Sequence, residues 1–114
     1  MNNRQYSKKQ ETRAAKALSG KRTANSGAST FDKGDVKATE LLVECKTLSK
    51  PQTSHTLKKE WLTKAYDEAI ARGVHFSALC IDFGDGSNYY VVSERDFIEL
   101  YTSWLEYSGY REEV

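Results

Sequence analysis

Apolar and polar positions change period several times along the chain. From Glu40 to Thr47 the order Glu-Leu-Leu-Val-Glu-Cys-Lys-Thr predicts a strand. Side chains on a strand alternate faces, so Leu41, Val43 and Cys45 share one face and Leu42, Glu44 and Lys46 the other. The unbroken Leu41-Leu42-Val43 predicts burial on both faces. Val74 to Phe83 is nearly continuous in apolar residues and predicts a central strand. Gly84-Asp85-Gly86-Ser87 is a strong turn signal, so Asn88 to Val92 is expected to pair antiparallel to that strand. Arg22-Thr23-Ala24 predicts a further short strand. The period changes to that of a helix in three places. Ser7 to Leu18 is rich in helix formers, with Ser7 as the expected cap and Gly20 marking the end. Thr56 is the expected cap of a helix over Leu57 to Ala71, whose Leu57, Trp61, Leu62, Ala65, Tyr66, Ala69 and Ile70 form a wide stripe that predicts core. Ser93 is the expected cap of a last helix with Phe97, Ile98, Tyr101, Trp104 and Leu105 on one stripe. This alternation predicts an α/β fold, and 114 residues suit a single domain with a modest core.

Charge changes the picture. The net charge of +1 hides a division of the chain. Residues 1–64 hold 14 Lys and Arg against 6 Asp and Glu, whereas residues 65–114 hold 3 against 10. A basic half suits a polyphosphate partner; a solvated basic arm gives the same composition. No apolar run approaches the ~20 residues of a membrane span. The polar start of the chain carries no apolar signal core, so a cytoplasmic location is expected. Cys45 and Cys80 sit in apolar runs and are expected as small buried thiols in a reducing compartment. No His or Cys pair has zinc-ligand spacing. His55 is expected as an exposed loop residue or a phosphate contact, and His75 as locally satisfied.

Candidate chemistry centres on Asp35, Glu44 and Lys46. An acid and a base project side by side from the Glu40–Thr47 strand, and Asp35 lies nine residues before Glu44 on a segment that a short turn folds back beside it. Two carboxylates and an ammonium at one spot suit a divalent cation held by hard oxygen ligands. Asp32, before Gly34, is expected in a turn role. Lys58 and Lys59, expected in the first turn of the second helix, oppose its dipole unless an anion is near. Glu11 is the one acid among seven bases in residues 1–22. It serves either as a surface partner of Lys8 or as a ligand reaching the site from the first helix.

Asp-x(8)-Glu-x-Lys, with Gly34 before the Asp, resembles the PD-(D/E)XK nuclease signature. The order of a basic helix with Glu11, then Asn25-Ser26-Gly27, then the acidic pair, then a helix is similar to the small Holliday-junction resolvases of archaea and bacteriophages. The resemblance covers roughly residues 5 to 100. It implies a restriction-endonuclease-like mixed sheet of about five strands flanked by helices. It implies Mg²⁺, or Mn²⁺ in its place, on Asp35, Glu44, the Cys45 backbone carbonyl and Glu11. Catalysis is then expected from Asp35, Glu44, Lys46 and Glu11. Arg13, Lys21, Arg22, Ser26, Lys33, Lys58 and Lys59 are expected to hold the substrate. The implied partner is four-way DNA, cut by a homodimer. A nicking or flap-cutting nuclease, a non-catalytic DNA-binding protein and a protein-interaction module are the alternatives. The aromatic surplus of the last helix is expected either as a dimer contact or as packing on the sheet.

Overall fold

The computed structural model describes residues 3–23 and 35–110. Its elements are α1 (Asn3–Ala17), β1 (Lys21–Arg22), β2 (Asp35–Ala38), β3 (Leu41–Thr47), α2 (Lys59–Arg72), β4 (Phe76–Asp82), β5 (Asn88–Val91) and α3 (Glu94–Ser108). The strands form a five-stranded sheet in the order β1-β2-β3-β4-β5. All neighbours are antiparallel except β3 and β4, which are parallel and joined through α2. A parallel pair needs such a crossover, whereas an antiparallel pair closes through a short turn. The chain is therefore α/β, a mixed sheet with three helices. No described helix is long and apolar enough to cross a membrane.

The two faces of the sheet are covered differently. On one, α1 buries Ala14 and Ala15 against Val36, Val43, Ala78 and Cys80, with Leu18, Leu41, Cys45 and Val92 around them. Small residues let α1 lie close. Where it ends, Ser19 takes φ 53°, and a Cβ on Gly20 would stand 2.6 Å from the Lys37 carbonyl oxygen. Only glycine fits that approach to β2. The other face carries Leu42, Glu44 and Leu79, all buried, beneath Ala65 and Ala69 of α2.

Several expected boundaries shift. The first helix begins at Asn3, so Ser7 is inside it rather than its cap, because the residues before Ser7 also tolerate helix. The second begins at Lys59 with Lys58 as the N-cap residue and no side-chain cap bond. Thr56 is therefore not its cap, and Leu57 is an exposed residue of the preceding loop. The expected core stripe of α2 is narrower than its periodicity suggests: Ala65, Glu68 and Ala69 are buried, while Tyr66 and Ile70 are exposed. The first strand is Lys21–Arg22 rather than Arg22 to Ala24. The expected cap Ser93 holds, accepting a bond from the Asp96 amide at 3.1 Å. The β4–β5 hairpin also forms where the glycines indicate it. There Asp82 Oδ1 accepts from the Gly84 amide at 2.6 Å and the Gly86 amide at 3.3 Å, folding the turn back on the strand.

Candidate nucleic-acid and metal site

β2 and β3 join through Thr39-Glu40, with Glu40 at φ 55°. That tight turn fixes the register: Ala38 faces Leu41, Lys37 faces Leu42, and Asp35 faces Glu44. Opposed positions in an antiparallel pair lie on one face of the sheet. The backbone register therefore places Asp35 directly across from Glu44. Next along the row comes Leu79 of β4.

Glu44 is 4% exposed. Its Oε1 lies 3.5 Å from Lys46 Nζ and 3.4 Å from Lys64 Nζ of α2. Its Oε2 is buried and meets no hydrogen-bond donor among the described residues. A buried carboxylate oxygen short of a donor is uncommon. An oxygen of this kind beside a second acidic position suits a hard cation. The backbone register thus sets two acidic positions, Asp35 and Glu44, side by side, with Cys45 next in sequence. Among the described residues, no group of three or more His, Cys, Asp and Glu side chains gathers into a metal cluster.

The same face is basic. Lys21 and Lys37 are register partners, and Lys37 is opposite Leu42. Alternation therefore sets Lys21 and Lys37 on the Glu44 face, at the end of β3 away from Lys46, and both are exposed. Lys58 and Lys59 are exposed at the start of α2. Ser26 and Lys33, with the rest of the expected polar loop, lie outside the described residues, as do Asp32 and Gly34.

The remaining predicted residues fall on the opposite face. Glu11 of α1 is 7% exposed and accepts from Arg22 Nε at 3.3 Å. Its partner is this strand residue and not Lys8. Arg22 is opposite Val36 of the α1 core, which fixes the side of the sheet. Arg13 donates to Asp82 Oδ2, and Asp82 is 2% exposed. Arg22 and Arg13 are thus both engaged with buried carboxylates.

Two residues of this region carried no functional expectation. Lys64 lay off the apolar stripe of its helix, but only three positions after Trp61, which a helix brings to neighbouring surface. Gln10 read as one more polar position of a basic helix. It is fully buried, donating from Nε2 to the Lys46 carbonyl at 2.8 Å and the Cys80 carbonyl at 3.2 Å. Its spacing of four from Ala14 was the available signal. Neither cysteine is in a disulfide: Cys80 is buried, Cys45 half-buried, and they are register partners on β3 and β4. The hydrogen bond with Cys45 lowers the Cys80 thiol pKa below its ordinary value, against the opposing effect of burial.

Comparison with family models, curated proteins and solved structures finds no match to this chain.

Proposed function

We propose that the chain is a Mg²⁺-dependent, structure-selective endodeoxyribonuclease of PD-(D/E)XK type, acting as a homodimeric resolvase of four-way DNA junctions. The observation that carries the reading is the register of Asp35 against Glu44, together with the orphan Glu44 Oε2 and its two lysines. Asp35 and Glu44 would hold the cation. The chemistry a Mg²⁺ ion supplies there is polarisation of a phosphoryl oxygen and acidification of its bound water. Lys46, within reach of the same carboxylate, orients the attacking water and offsets the charge that develops on the phosphate. Lys64 shares the neutralisation of Glu44. Lys21, Lys37, Lys58 and Lys59 bind the backbone without reading sequence. Glu11, held by Arg22 on the opposite face of the sheet, is not part of this set.

The test is an assay of purified protein with Mg²⁺ on a four-way junction, beside linear duplex and a flap. Glu44→Gln is expected to cut cleavage at least about a hundredfold while DNA binding persists. Retained cleavage would remove the hydrolytic assignment. Equal cutting of junction, flap and duplex would keep the nuclease and remove the resolvase.

A further inference from the structure

Beyond Lys46, the Glu44 face continues into a run of rings. Lys46 is the register partner of Ile81, and Ile81 of Tyr89, so the three form one row across β3, β4 and β5. Phe83 follows Ile81 by two residues and packs edge-on against Tyr89, with centroids 5.6 Å apart. His55 meets Phe83 at 6.0 Å and Trp61 at 6.5 Å, both edge-on. Lys46 Nζ stands 4.8 Å and Lys58 Nζ 5.7 Å from the centre of the Trp61 ring. A continuous path therefore runs from the Glu44 carboxylate through Lys46, Trp61, His55 and Phe83 to Tyr89. Its far end is open, with Tyr89 54% exposed.

From this we propose that the exposed Tyr89 ring, braced edge-on by Phe83 with His55 and Trp61 behind it, is a shelf on which unpaired nucleobases stack. The inference rests on the nucleic-acid part of the reading above and not on its hydrolytic chemistry. Every base presents a π-face, so an aromatic shelf binds single strands with little sequence preference, and flanking cations add to the attraction. In intact duplex the bases are already stacked on each other. The shelf then adds nothing, and the lysines alone act. At a branch, gap or flap a base can leave the stack, and the shelf rewards that exposure. Selectivity for structure over sequence follows, with the free base held beside the Glu44 site.

The experiment uses the full chain carrying Glu44→Gln, so that DNA stays intact, and three probes: single-stranded DNA, a four-way junction and matched duplex. A fluorescent aminopurine at the branch reports stacking. The expected result is quenching on binding, and a Tyr89→Ala affinity for single-stranded DNA lower by about tenfold, with the single-strand to duplex affinity ratio falling likewise. Tyr89→Phe restores the ratio; Tyr89→Leu, apolar but not aromatic, does not. A ratio unmoved by Tyr89→Ala in a protein whose circular-dichroism melt is unchanged overturns the shelf, as does equal rescue by Leu and Phe. If the Ala variant melts early, the Phe and Leu pair decides alone. Cleavage by the unmodified chain is scored separately. A Tyr89 effect without any Mg²⁺-dependent cleavage leaves the shelf and sinks the nuclease. Glu44-dependent cleavage with a neutral Tyr89 does the reverse. No DNA binding at all sinks both.

Discussion

Gln10 shows how much one side chain can hold. Its amide ties α1 to two strands at once, at the Lys46 carbonyl and the Cys80 carbonyl. Gln10→Ala is expected to lower unfolding free energy by about 2–3 kcal/mol, from lost burial and from carbonyls left short of a donor. Chemical denaturation measures it, and a loss below about 0.5 kcal/mol would contradict the role. Arg13, a substrate contact on the sequence pattern, is also the partner of the buried Asp82. Sequence patterns register that a residue is basic; they do not register which acid lies across the fold. Tyr90, opposite Cys80, offers a pH readout. Burial, reinforced by the charge of the neighbouring Cys80, pushes its phenol from 10.0 up to about 12. A raised pKa favours the neutral phenol in the folded state, so this contribution to stability is complete below pH 10 and is lost as pH rises towards 12. Cys80 has the opposite sign: its pKa lies below 9.0, so its contribution is complete above pH 9 and is lost as pH falls through the folded value. Phenolate absorbance of wild type minus Tyr90→Phe should therefore titrate near pH 12. A difference curve centred near 10 would mean that Tyr90 is solvated.

At the scale of elements, the hairpin turn, Ser93 and the β3 alternation were legible because each has a local cause: glycine conformations, a capping hydroxyl and a two-residue period. The start of α2 was not. Thr56 has the chemistry of a cap, but the helix starts three residues later, at Lys59 behind an uncapped Lys58. Lysine at that position leaves the first amides without a side-chain acceptor and opposes the helix dipole. The arrangement is poor for stability and good for an anion. Lys58→Asp is accordingly expected to raise unfolding free energy by about 1 kcal/mol through capping. It should weaken DNA binding and make the plot of log affinity against log salt shallower by about one contact. Calorimetry and a salt titration check the two halves. A stabilised variant with unaltered salt dependence would remove this helix end from the DNA surface.

For the whole molecule, the open question in the sequence was where α3 puts its aromatic surplus, since a stripe suited to a sheet is equally suited to a partner. The fold answers part of it. α3 is pinned at its start, through the Ser93 cap, an Asp96 carboxylate that accepts weakly from the Ser77 amide, and a 2.6 Å contact of Glu99 with His75. Beyond that, Phe97, Ile98, Leu100, Tyr101, Trp104, Tyr107 and Tyr110 are each about half exposed or more. At roughly 100 Å² for each half-exposed large side chain, the group offers about 700 Å², close to the ~800 Å² per partner of a stable interface. Apolar patches of that size mark contacts. On the proposed resolvase reading the occupant of this patch is a second copy of the chain, because a two-fold axis would bury the same face on both protomers and set two Glu44 sites at a fixed separation. Two symmetric cuts in one junction require that separation. The expected result is a dimer in sedimentation equilibrium at micromolar concentration. Trp104→Glu or Tyr101→Glu should give a monomer whose circular dichroism is unchanged. On a junction, that monomer should nick single strands without the paired, near-simultaneous incision of the dimer, and a plasmid-borne cruciform would accumulate nicked circles in place of linear product. Linear product from a monomeric variant would separate dimerisation from paired cutting, and a wild-type monomer would leave the α3 face to some other partner.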